Sequence, residues 1–163
     1  MTFRVPSLDQ ACARAVAHSF RIVGHDDSDP DWTEAFLYPK EALGIVVQLA
    51  ESRGATGAPR RPVAAPAGPA DPPPAVTVLG LRMRTRSAER ADTLWGAVLQ
   101  ARRDDVGGAL VYRRPGSPMR IGVDLDAGAD EGPLVVEFAS ERAVDLPGTP
   151  HPTLGTSFRR SAR

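Results

Sequence analysis

Two stretches of the chain, IVVQLA at Ile45–Ala50 and LVVEFA at Leu134–Ala139, are near copies, each an apolar strand interrupted by one polar group, Gln48 or Glu137. The segments before them repeat as well. TFRV reads as a short strand and SLDQACARAVAHS as a helix with Ser7 as its N-cap. FRIVG, WTEAFLYP and GIVVQLAE read as strands, with HDDSDPD a loop and KEAL a turn. Further on, VTVLGLRMRT reads as a strand and SAERADTLWGAVLQAR as a helix capped by Ser87. Its residues Ala91, Leu94, Trp95, Val98 and Leu99 recur at helical spacing. GALVYRR, MRIGVDLD and PLVVEFAS then read as strands. The pattern is β-α-β-β-β, twice, with Phe3–Val5 over Leu81–Met83 and Ile45–Ala50 over Leu134–Ala139.

A duplicated βαβββ pattern predicts an α+β fold: two modules forming a cupped, barrel-like mixed sheet with helices outside and room for a small ligand. The expected boundaries are residues 1–52 for the first module and 76–140 for the second. A Pro/Ala/Gly-rich linker at 53–75 and an irregular tail at 141–163 complete the chain. The linker allows the modules to pair within one chain or between two, so a homodimer is one of the expected states.

Composition narrows the function. A hydrophobic share of 42% supports a core, while 16 prolines and 15 glycines place much of the chain in irregular structure. Formal net charge is zero, which argues against nucleic acid or an anionic membrane as partner. A single cysteine, Cys12, excludes an internal disulfide and a Cys-cluster zinc site. Neither a signal peptide nor a bilayer-spanning run is present in the sequence, so a cytoplasmic protein is the expectation. DDSDPD fails as a calcium loop because Trp32 and Tyr38 stand where Gly and Glu would be required. His18, His25 and His151 have no ligand-like spacing.

The text FRVPSLDQACARAVAHSFRIVG…WTEAFLYPKEALGIVVQLAES, and above all FLYPKEALGIVVQLAE at Phe36–Glu51, resembles the vicinal oxygen chelate superfamily of glyoxalases, bleomycin-resistance proteins and extradiol dioxygenases. Its closest look is to the methylmalonyl-CoA epimerase-like branch. Residues 1–52 look like a second module of that family and 76–140 like a first. The opening strand is short: it is cut down, or the start lies upstream, or a partner supplies the edge.

In that family a divalent ion is held by residues of the first and last strands of each module. The resemblance therefore implies Gln48 and Glu137 as metal ligands, Glu137 as catalytic group, and Co²⁺, Mn²⁺, Zn²⁺ or Ni²⁺ as cofactor. The implied reaction is metal-assisted epimerisation or isomerisation of a small carbonyl or acyl-CoA substrate through an enolate. The first-strand histidines are missing: one position falls near Val78 and the other just before Met1. That gap favours the alternative, a non-catalytic small-molecule binder of the bleomycin-resistance type with a degenerate metal site. Arg82, Arg84 and Tyr112 are the expected substrate-binding residues; Arg82, Arg84 and Arg86, with Arg113, Arg114 and Arg120 on later strands, read either as a solvated, charged edge face or as an anion cradle for phosphates such as those of a CoA ester. Asp124 and Glu34 are further candidates for a proton-transfer carboxylate.

Overall fold

The computed structural model describes residues 1–53, 75–144, 146, 149–153 and 155–161. The linker expected at 53–75 lies outside the described residues apart from its two ends, as do several positions of the expected tail. The fold is α+β, with two open sheets rather than a closed barrel.

The first unit runs β1 (Thr2–Arg4), α1 (Leu8–Ala17), β2 (Ile22–Asp29), β3 (Trp32–Leu37) and β4 (Val47–Ser52), in the spatial order β1-β4-β3-β2. Strand β1 is parallel to β4 and the other pairs are antiparallel. Helix α1 starts where the sequence predicts, because the Ser7 hydroxyl accepts from the Gln10 N–H at 3.3 Å. The segment expected as a loop at His25–Asp31 mostly continues β2, as an exposed edge strand bulged at two points. Its aspartates have no apolar alternation to betray a strand; the ladder to β3 supplies the order.

The second unit repeats that topology. Its elements are β5 (Val76–Thr85), α2 (one α-helical turn at Ala88–Ala91 continuing as π-helix over Asp92–Val98), β6 (Arg102–Val106), β7 (Ala109–Arg113) and β8 (Arg120–Leu125). Ser87 caps α2 through the Arg90 N–H at 3.3 Å. The π-helical stretch is closed by the Leu99 N–H donating to the Leu94 carbonyl, five residues back, at 3.0 Å. Strands β9 (Gly132–Ser140) and β10 (Ser157–Arg160) then extend this sheet, whose order is β10-β9-β5-β8-β7-β6.

That order corrects the strand equivalence expected from sequence. Strand β5 pairs parallel with β8, as β1 does with β4, so β8 is the counterpart of β4. LVVEFA belongs to β9, which lies antiparallel on the other side of β5. The source of the difference is β6, whose RRDDV has no alternation and is exposed throughout. A strand without that signal shifts each later one by a place in the expected order.

One hydrophobic cluster holds both units together. Leu8, Leu37, Leu49, Met83, Leu94 and Trp95 are all essentially inaccessible. Each such side chain contributes about 1.5–3 kcal/mol of transfer free energy. The two helices touch, with Arg14 Nε donating to the Val98 carbonyl at 3.4 Å, and the rings of Phe3 and Trp95 lie 6.0 Å apart. Arg90 adds a bond to the Glu41 carbonyl at 3.1 Å. Stability therefore resides on the helix-covered faces and leaves the opposite face of each sheet free for polar groups. Among the described residues no helix is long and apolar enough to cross a membrane.

Candidate small-molecule site on the open face of the second sheet

Strand alternation sorts the candidate residues. On β4, Val47 and Leu49 face the helix and Gln48 faces away. Gln48 stands opposite Thr2 on one side and Phe36 on the other. Its amide is committed at both ends: Oε1 accepts from the Thr2 hydroxyl and Nε2 donates to Glu34 Oε2, each at 2.5 Å. Glu34 also accepts from Trp32 Nε1 at 2.7 Å. Glu34, expected as a proton-transfer candidate, is thus the acceptor of a local network on the first sheet.

On β5 and β8, Leu81, Met83, Ile121 and Val123 belong to the core, so Arg82, Gly80, Arg120, Gly122 and Asp124 share the open face. Glu137 joins them from β9, opposite Gly80, and is only 5% exposed. Arg120 Nε donates to Glu137 Oε2 at 2.9 Å, and Arg82 lies 4.0 Å from the other carboxylate oxygen. Arg82 grips Asp124 as a fork, with Nε to Oδ2 at 3.1 Å and a short second bond to Oδ1. That hydrogen-bonded pairing raises the guanidinium pKa above its ordinary value, so Arg82 is a permanent cation.

Two glycines make room for these arginines. A Cβ on Gly80 would stand 2.0 Å from the Arg120 carbonyl oxygen and 2.9 Å from its Cγ. A Cβ on Gly122 would meet Arg82 Cγ at 3.2 Å. Around them lies a hollow of about 170 Å³, lined by Arg82, Arg113, Arg120 and Glu137 over Val111 and Gly122. Arg84 opens instead onto a neighbouring hollow that also contains Arg82, Asp124 and Arg159. Tyr112 is not on this face. Its ring is buried in the core, 1% exposed, and its hydroxyl donates to Asp92 Oδ1 at 2.6 Å. Period-2 alternation along β7 sends Val111 and Arg113 to the hollow and Tyr112 away from it.

The metal reading can be tested on the equivalence of the two units. Counting back five residues from the capping serines Ser7 and Ser87 reaches Thr2 and Arg82, whose ladder partners are Gln48 and Gly122. The last-strand counterpart of Gln48 is thus Gly122, and the residues beside these two on the first strands are Thr2 and Arg82, a hydroxyl and a guanidinium. A fixed cation and a residue without a side chain cannot complete a shell around a divalent ion. Glu137 reaches the face from an added strand, and its oxygens are directed at two guanidinium groups. Among the described residues no three His, Cys, Asp or Glu side chains are grouped to share an ion. The residues present do not fit the implied metal, and no structural contact joins Gln48 to Glu137.

Arg113 and Arg120, grouped by sequence with Arg82 and Arg84 in the anion cradle, line the hollow, whereas Arg114 of the same group donates to the Arg4 carbonyl at 3.0 Å. The signal for Arg120 is the alternation in RIGVD, with Ile121 and Val123 inward and Arg120, Gly122 and Asp124 outward. Arg86, on the same period as Arg82 and Arg84, lies beyond the strand and binds the Ala129 carbonyl at 2.9 Å.

No family model matches the sequence, and no curated protein matches it. Among solved structures, the chain is similar to a hypothetical protein from Staphylococcus aureus, at 6% identity and a TM-score of 0.58, over 98% of this chain and 64% of that one. It is also similar to a glyoxalase I mutant from Zea mays, at 15% identity and a TM-score of 0.45, over 85% of this chain and 47% of that one. A third is BphC, a halotolerant catechol dioxygenase, at 11% identity and a TM-score of 0.49, over 86% of this chain and 50% of that one. The chain thus spans from about half to just under two thirds of the length of the proteins it is similar to. At this identity the first likeness is one of fold, and it extends over nearly the whole chain.

Proposed function

We propose that this chain is a protein of the vicinal oxygen chelate fold that binds a small molecule on the open face of its second sheet, without catalysis by a metal ion held on its own residues. The observation that carries this reading is that Gly122 stands where the second unit would need the counterpart of Gln48, beside the guanidinium of Arg82, with Glu137 held between Arg120 and Arg82. The βαβββ order of both units supports the fold assignment. The hollow supports the binding role: at about 170 Å³ it is smaller than the sites that enclose drug-sized ligands, and suits one small polar group with a short body. Metal-assisted epimerisation through an enolate is the reading it displaces, since that chemistry needs an ion to polarise the carbonyl and a carboxylate free to take the proton.

Titration of the purified protein with Co²⁺ and Mn²⁺, followed by metal analysis after dialysis, tests the proposal. The expected result is no retained ion above background. In parallel, the backbone amide signals of Gly122 and Val111 should shift in NMR titrations with small-molecule probes. Stoichiometric Co²⁺ binding that disappears in Glu137→Ala would overturn the proposal and restore the epimerase reading.

A further inference from the structure

The ladder registers of the second sheet place one residue of each strand in a single row on the open face. Arg159 on β10 stands opposite Glu137 on β9, then Gly80, Arg120, Arg113 and Arg102 follow on β5, β8, β7 and β6. Four arginines and one glutamate therefore share one line across six strands, in a chain whose formal net charge is zero. Arg120, Arg113 and Arg102 are directly opposite one another on neighbouring strands. Like charges in that relation are destabilising, since opposed Cβ atoms stand only about 4.5–5.5 Å apart. Among the described residues the row's counter-charges are Glu137 for Arg120 and Asp104 for Arg113, the latter at 3.4 Å. Among the described residues, only the Nε of Arg120 has a hydrogen-bond partner, so its terminal N–H donors remain available.

We infer that the ligand of this face is a small molecule bearing an oxyanion group, carboxylate or phosphoryl, which bridges Arg120 and Arg113 and for which Glu137 acts as the resident counter-anion. The inference rests on the proposed binding role and names the ligand class. Guanidinium groups present planar forks of N–H donors that match the oxygens of carboxylate and phosphoryl groups. The hollow between them has the volume of about five or six water molecules, at roughly 30 Å³ each, enough for one such group and a short apolar stem against Val111 and Ala109. Glu137 lies at the floor, held by the Arg120 Nε–H, so an incoming anion meets the terminal nitrogens of Arg120 and the exposed Arg113. A nucleic-acid strand is a poorer match, because the row carries no aromatic ring on which a base could stack.

Glu137 separates this inference from a catalytic or metal-ligating role by the sign of its effect. Replacing a counter-anion with its neutral isostere frees the charge of Arg120, so Glu137→Gln should tighten anion binding by about three- to tenfold. Arg113→Ala should weaken it by about tenfold, as expected for loss of hydrogen bonds to a charged group. Arg113 is exposed and, among the described residues, its side chain pairs only with Asp104, so this variant should fold.

The experiment is an NMR titration of the full chain, following the Gly122 and Val111 amides, with inorganic phosphate, pyrophosphate and citrate as anionic probes and hydroxyacetone as a neutral one. Shifts with the anions, weakened by added salt and altered as stated in both variants, support the inference. Preference for citrate or for pyrophosphate identifies the ligand as carboxylate or phosphoryl. If hydroxyacetone alone shifts these signals, the anion inference falls and the binding role stands. If no probe shifts them, both fall. Weaker anion binding in Glu137→Gln, or anion binding unaffected by Arg113→Ala, also overturns the inference.

Discussion

Replacing Gly80 with alanine tests the pairing on which the site depends. The new Cβ would stand 2.0 Å from the backbone carbonyl oxygen of Arg120, against a closest approach of about 3 Å for real Cβ atoms. A backbone atom cannot rotate aside, so β5 and β8 would have to part locally by about 1 Å, out of a normal strand spacing of 4.7–4.9 Å. This strains a parallel ladder that runs from Gly80↔Arg120 to Thr85↔Leu125. Overpacking of this kind typically costs about 1–3 kcal/mol, and the backbone clash puts Gly80→Ala at the upper end, about 3 kcal/mol. For a chain of this size that corresponds to a melting temperature lower by roughly 6–12 °C.

Two controls calibrate the measurement. Gly122→Ala meets the flexible Arg82 side chain at 3.2 Å and should cost less than about 1 kcal/mol. Gly96, in the π-helical stretch, has open space where a methyl would stand, with no atom within 4 Å of it apart from its chain neighbours and its own helix backbone. Gly96→Ala should therefore stabilise by about 0.5–1 kcal/mol. Calorimetry of the three variants gives the order. A Gly80→Ala protein melting within about 2 °C of the parent would refute the β5–β8 register, and with it the equivalence of β8 and β4.

The remaining predictions concern pH. Burial, reinforced by the hydrogen bond to Asp92, pushes the Tyr112 phenol above its ordinary value. Its contribution to stability is therefore complete below about pH 10, the unfolded value, and is lost as pH rises towards and through the folded one. Tyr112→Phe should remove about 1 kcal/mol near neutrality and flatten the alkaline limb of a denaturation-versus-pH curve; an unchanged alkaline limb counts against the Asp92 contact. Burial tends to raise the Glu131 carboxyl, but bonds from Thr85 and the Arg86 N–H, with the charges of Arg90 and Arg86, outweigh it and lower the pKa. Its stabilisation should be present above about pH 4.5 and fade as pH falls through the folded value. Glu131→Gln should cost about 1–3 kcal/mol at pH 7 and progressively less as pH falls below about 4.5, read by chemical denaturation across that range; a loss that does not change with pH would exclude the charge-based account.

Much of the frame is legible in the sequence because it depends on local chemistry. Ser7 and Ser87 satisfy the first N–H groups of their helices whatever packs on them, so both starts can be read. The alternation of Leu81, Met83 and Thr85 with Arg82 and Arg84 marks β5, its length and its polar face. The site is less legible. Gln48 and Glu137 look equivalent because both interrupt apolar strands, but a polar residue on a strand records only which way it points. It does not record which strand stands beside it. Strand β6 is invisible for the same reason: RRDDV is ordered by its ladder to β7 and not by burial.

The sequence by itself determined the two βα starts and the alternation of the apolar strands, since these follow from backbone capping and from the period of side-chain burial. Only the tertiary structure decided that β8 rather than β9 closes the second unit. It also decided that Tyr112 faces the core, and that Arg159, Glu137, Arg120, Arg113 and Arg102 fall into one row. Those outcomes depend on which strands, distant along the chain, come to lie side by side, and the residues of one strand do not specify its neighbour, because the backbone groups that join strands are the same in every residue.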